Sequence, residues 1–109
     1  MANSITTKEL EEKLSRKEAA LIDVLGQKHF EREHISGAIN IPLENLGKTA
    51  LERFDRGKSL VVYCKDRECD ASDKAVKKLE KLGFENVKDY EPGLEGWKKA
   101  GNQVSSSEP

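Results

Sequence analysis

Apolar residues fall along this chain in two rhythms. Leu60, Val61, Val62 and Tyr63 make an unbroken run that is long enough for a buried strand and too short for a helix. Cys64 closes that run, a polar stretch with one further cysteine follows (Lys65, Asp66, Arg67, Glu68, Cys69, Asp70), and then Ala75, Val76, Leu79 and Leu82 recur at helical spacing. The pattern predicts strand, loop and helix in that order. Such a loop aims free backbone N–H groups and the positive end of the helix dipole at one point, where a sulfur is favoured as thiolate. Cys64 is therefore the candidate nucleophile, with the loop amides expected to ring its sulfur.

The same two rhythms organise the flanks. Thr6 or Thr7 opens a helix with Leu10 and Leu14 on one face. Residues 19–24 form an almost continuous apolar run, as expected of a strand covered on both sides, interrupted by the charge of Asp23. Asp23 is expected to accept hydrogen bonds from loop N–H groups at the strand end. Residues 27–33 read as a short polar helix with Phe30 as its buried anchor. His34 follows, expected to be a histidine hydrogen-bonded in place, while His29 is expected to be solvated. Gly37 permits a turn into a short strand over 38–41 that Pro42 stops. A looser helix or pair of turns covers 43–54, a last strand 84–90, and a short helix reaches Trp97, which with Leu94 fits a core plug. The tail from Gln103 onward is polar and is expected to be disordered. Strands alternating with helices predict an α/β fold with a mainly parallel sheet and helices on both faces, its site at the carboxyl edge.

Composition narrows the partners. With 109 residues the chain holds one domain, and 19 Lys and Arg against 20 Asp and Glu leave a net charge of -1. No overall field draws it to nucleic acid or an anionic membrane. The N-terminus turns charged within its first residues and no apolar run spans a membrane, so the expected location is cytoplasmic. There, two cysteines read as free thiols with chemistry.

The segments Leu21-Ile22-Asp23-Val24, Glu33 through Pro42, Val61-Val62-Tyr63-Cys64, Gly83-Phe84-Glu85-Asn86-Val87 and Pro92 through Gly101 resemble, in order and spacing, those of the rhodanese-like domains. The likeness runs over nearly the whole chain, so the domain is expected to cover residues 1–104, with 105–109 as the tail. It implies a five-stranded, mainly parallel sheet flanked by helices, and Cys64 as the family's sulfur-carrying cysteine. It further implies a sulfurtransferase that moves a sulfane sulfur from thiosulfate or a persulfide to a thiol or cyanide-like acceptor, protein thiols included, through a Cys64 persulfide, without cofactor or metal. The alternatives are a non-catalytic binding or regulatory module and a thiol-disulfide redox protein using Cys64 and Cys69.

Three departures matter. Leu25 stands where the family usually has arginine, and Pro92 replaces one glycine of a pair. The family's loop carries arginine and a hydroxyl five and six positions after the cysteine, where this chain has Cys69 and Asp70. If Ser72 is that hydroxyl, the loop is longer and Ala71 precedes it. Lys65 and Arg67 are expected to orient the donor within a loop running to Ser72, against Asp66, Glu68 and Asp70, so that two positive and three negative charges leave the loop at -1. That balance predicts weak thiosulfate turnover or a persulfide donor. Asp23 and His34 are expected to support neighbouring loops. Cys69 reads either as an incidental residue or as a resolving thiol. A zinc site from Cys64, Cys69, His29 and His34 lacks the tight ligand spacing of structural sites. A cysteine phosphatase would need arginine at the position of Asp70.

Overall fold

The computed structural model describes residues 3–107. Its main sheet has four parallel strands in the order β3-β1-β4-β5: β1 is Ala20–Asp23, β3 Ile39–Asn40, β4 Ser59–Tyr63 and β5 Asn86–Asp89. The central strand is β4, paired with β1 through Leu21↔Val61 and Ile22↔Val62 and with β5 through Leu60↔Val87. A single parallel bridge between Ser4 and Asp89 extends the sheet beyond β5. The fold is thus α/β and mainly parallel as expected. The expected fifth strand is reduced to this bridge, because the chain turns into a helix two residues later.

That helix, α1 (Thr7–Ser15), is capped by Thr6, whose hydroxyl accepts from the Glu9 N–H while the Glu9 carboxylate accepts from the Thr6 N–H. The helix after the two-cysteine loop, α4 (Ala71–Lys81), ends at Gly83, whose φ of 96° is open to glycine at little cost. Phe84 N–H reaches the Leu79 carbonyl and Gly83 N–H that of Glu80, which satisfies the helix's last carbonyls.

Alternation along β4 divides the core. Leu60, Val62 and Cys64 pack with Leu46 and Ala50 of α3 (Leu46–Arg53) and Ala75, Val76 and Leu79 of α4. Val61 and Tyr63 pack on the other side with Leu10 of α1 and Leu94 and Trp97 of α5 (Gly93–Lys99). Trp97 is the core plug the spacing predicted. A 3₁₀ turn at Leu43–Asn45 followed by α3 resolves the looser stretch.

Two expectations are corrected. Phe30, on α2 (Gln27–Arg32), is only half-buried, and α2 contributes no buried residue; the Phe30 ring lies flat on His34 with centroids 3.7 Å apart. The tail is not free from Gln103 onward. Val104–Ser105 forms β6, antiparallel to β2 (His34–Ile35). The Trp97 indole N–H donates to the Gln103 carbonyl at 3.0 Å, and Ser107 N–H to the Glu31 carbonyl at 2.8 Å. Side-chain polarity hid this attachment because it runs through backbone groups. The last two residues of the expected tail lie outside the described residues.

Candidate active site

Cys64 sits directly after β4, at the carboxyl edge of the main sheet, and the loop from Lys65 to Asp70 leads into α4. Cys64 packs in the aliphatic face of the core and is 1% exposed. It is joined in a disulfide to Cys69, the Cα atoms lying 6.4 Å apart, well within reach for such a bond. The expectation of two free thiols is corrected: the folded loop curls far enough to bring Cys69, five residues on, into bonding contact with Cys64.

Ser72, the second residue of α4, is 4% exposed, and its Oγ lies 3.6 Å from the Cys64 sulfur. A disulfide sulfur has no proton to give, so in this form the Ser72 hydroxyl is the group able to donate. The Cys69 carbonyl oxygen lies 3.4 Å from the same sulfur. It becomes a hydrogen-bond acceptor only when Cys64 is a thiol.

The expected ring of amides is altered. The Glu68 and Cys69 N–H groups, two of those expected to face the sulfur, donate instead to Asp66 Oδ1 at 3.0 and 3.2 Å. An aspartate competes well for nearby backbone donors, and charge neutrality arguments made along the sequence do not register that competition. The loop is also clamped from outside. Leu94 and Glu95 N–H groups at the start of α5 donate to the carbonyls of Cys64 (3.0 Å) and Lys65 (2.9 Å). Gly93 makes this approach possible: at φ 64°, a Cβ placed there would sit 2.5 Å from the Cys64 carbonyl oxygen. This is the contact that the single glycine after Pro92 serves.

The remaining loop residues point outward. Arg67, expected to orient a donor, pairs with Glu91 at 3.5 Å, its side chain 69% exposed. Asp70 pairs with Lys74 at 3.4 Å and makes no side-chain cap on α4. Lys65 and Glu68 are exposed, and Ala71 is half-buried as the first residue of α4.

Asp23 pairs in register with Tyr63, the residue before Cys64, and His34 lies in β2. Asp23 Oδ1 accepts from the Leu25 N–H at 2.9 Å, as expected of a strand-end carboxylate, while its other oxygen is buried without a partner. Burial pushes its pKa up, countered by the Leu25 N–H and the Tyr63 hydroxyl. His34 Nδ1 is 2.6 Å from the Phe30 carbonyl oxygen, and the residue is buried. His29 is exposed.

Asp89, at the end of β5, was not singled out by its sequence context. It is 9% exposed, its Oδ1 has no hydrogen-bond partner, and it walls a pocket of about 340 Å³ that also exposes Cys69 and Ser72. Burial raises its pKa, the Ser72 hydroxyl opposes this, and the charges of Glu91 and Asp73 add to the rise. Among the described residues no three His, Cys, Asp or Glu side chains gather to hold a metal ion. No described helix is long and apolar enough to cross a membrane.

The sequence profile of the rhodanese-like domain matches residues 6–100. The chain belongs to the rhodanese-like domain family. It is 32% identical over 107 residues to the HTH-type transcriptional regulator Rv0324 of Mycobacterium tuberculosis, covering 98% of this chain and 46% of that protein. It is 29% identical to the thiosulfate sulfurtransferase GlpE of Coxiella burnetii, over 90% of this chain and 89% of the other. The crystal structure of BH2092 from Bacillus halodurans superposes with a TM-score of 0.89 at 25% identity, covering 97% of this chain and 78% of that one. This rhodanese-like chain spans about half the length of the first curated relatives it matches.

Proposed function

We propose that this domain is a sulfurtransferase that carries a sulfane sulfur on Cys64 and passes it to a thiol acceptor. One observation carries the reading: the Cys64 sulfur, at the carboxyl end of the central strand, is already bonded to a second sulfur, that of Cys69. In this reading a transferred sulfur takes the place of the Cys69 sulfur on a Cys64 sulfur that lies 3.6 Å from the Ser72 hydroxyl.

In this reading the disulfide is the closed, guarded form. Reduction frees Cys64 as a thiolate at the start of α4, which attacks the outer sulfur of a donor persulfide, expels the donor thiolate and holds the new sulfur until an acceptor thiolate removes it. Asp66, Glu68 and Asp70 disfavour thiosulfate, a small dianion, so the donor is a persulfide. The relative named a thiosulfate sulfurtransferase supports the reaction class and leaves the donor open.

The test is intact-mass spectrometry of the reduced protein after incubation with a persulfide donor. A gain of one sulfur atom, absent in Cys64→Ser and retained in Cys69→Ser, is expected; no gain on Cys64 overturns the reading. A second reading, a regulatory module that senses thiol redox state, is favoured by the 1% exposure of Cys64 and by the relative named a transcriptional regulator. It predicts reversible opening of the disulfide with no sulfur loading.

A further inference from the structure

The two sulfurs of the disulfide differ in access. Cys64 is 1% exposed, whereas Cys69 is half-buried and forms part of the wall of the pocket of about 340 Å³. A thiol arriving from solvent meets Cys69 first. That pocket is acidic: five carboxylates, Glu68, Asp70, Asp73, Asp89 and Glu91, line it, with Arg67 as the one cation in the lining. Arg67 pairs with Glu91, and Lys74 and Lys77 pair with Asp70 and Asp73 from the next turn of α4, which leaves Glu68 and Asp89 without an ion pair among the described residues. Deepest among them, Asp89 is 9% exposed with Oδ1 buried and unpartnered, an acceptor that lacks its donor. A cleft lined by one sign of charge concentrates ions of the other and repels its own.

We propose that this pocket binds the ammonium group of a small aminothiol, with Asp89 as counter-ion, and that the aminothiol opens the disulfide by attacking Cys69. The attacking thiol enters as thiolate, its proton already lost to water. A bond forms from its sulfur to Cys69 Sγ, the Cys64–Cys69 bond breaks, and that bond's electron pair leaves on Cys64. The Ser72 hydroxyl, which also faces the Asp89 carboxylate, lies 3.6 Å from Cys64 Sγ and donates to the departing thiolate by turning its one proton toward the sulfur. A second aminothiol then displaces Cys69, so two thiols are oxidised to one disulfide and the protein ends as a dithiol. The pocket's volume lies at the small end of the range for ligand sites, which suits a compact molecule. The inference stands independently of whether Cys64 afterwards carries sulfur.

The experiment measures disulfide opening in the oxidised protein by alkylation of the freed thiols and mass spectrometry. Cysteamine, 2-mercaptoethanol and mercaptoacetate serve as cationic, neutral and anionic probes, with each rate constant expressed per thiolate. Cysteamine is expected to react about tenfold or more faster than mercaptoacetate. The gap should shrink at 1 M salt, where the screening length falls to about 3 Å, and in Asp89→Asn. Should Asp89→Asn fail to fold, Glu91→Gln on the exposed rim is expected to narrow the gap to a smaller degree. Peptide mapping of the first mixed disulfide should find the probe on Cys69. Equal rates for the three probes, a gap indifferent to salt and to whichever of the two substitutions folds, or a mixed disulfide on Cys64, overturns the proposal. Sulfur loading is read separately on the reduced protein, so either idea can fail alone.

Discussion

The sheet face carrying α3 and α4 is packed with aliphatic side chains and holds the Cys64 sulfur. The face carrying α1 and α5 is built around Tyr63, Tyr90 and Trp97, each with its polar tip bonded. Tyr63 OH accepts from the Ile35 N–H at 3.0 Å, Tyr90 OH meets Thr7 Oγ1 at 2.7 Å, and the Trp97 indole reaches Gln103. Residues 63 and 64 are neighbours in the chain and look to opposite faces. The comparison separates two jobs: the aromatic face ties β2, β6 and the N-terminus to the sheet through directional bonds, whereas the aliphatic face controls how deeply the sulfur is buried.

Substitutions of equal cost on the two faces should therefore differ in what they do to Cys64. Trp97→Ala is expected to lose about 3–5 kcal/mol and Leu79→Ala about 2–5 kcal/mol in urea unfolding. In a Cys69→Ser background, Leu79→Ala should speed alkylation of Cys64 and Trp97→Ala should not; equal acceleration by both would dissolve the distinction. Gly93→Ala comes next, because an alanine at φ 64° costs about 1–2 kcal/mol from the backbone alone and its Cβ collides with the Cys64 carbonyl. Its sulfur loading should fall further than its stability does. Tyr90→Phe removes one hydroxyl contact and should cost about 0.5–1.5 kcal/mol with Cys64 reactivity unchanged.

The smallest effect is one of pH. Burial raises the folded pKa of Asp89 above the 3.8 of an exposed aspartate, so the fold holds its proton more tightly than the unfolded chain does. That contribution to stability is present below pH 3.8 and is lost as pH rises through the folded value. Replacing Asp89 with Asn should accordingly flatten the decline as pH rises above 3.8 in thermal unfolding, and an unchanged slope would contradict the assignment. Asp23, raised in the same direction and for the same cause, is expected to keep part of the decline in place.

Much of this was legible beforehand for physical reasons. The run from Leu60 to Tyr63 and the spacing of Ala75, Val76 and Leu79 are burial patterns, and burial is what sequence periodicity records. Asp23 and His34 are hydrogen-bonded as strand-end and helix-end residues ordinarily are. The direction of the loop amides was not legible, because it turned on Asp66 folding back on its own backbone. Neither was the placement of Asp89, whose neighbours become Ser72 and Cys69 only across the sheet edge, nor β6, a strand of two residues, Val104 and Ser105, too short to show a period.

The hold of α5 on the loop sets what can move when the disulfide opens. With the carbonyls of residues 64 and 65 pinned by the amides of Leu94 and Glu95, any hinge must lie beyond Lys65. Cys69 can swing away while the stem stays put, and the sulfur of Cys64 keeps one address whether the gate beside it is shut or ajar.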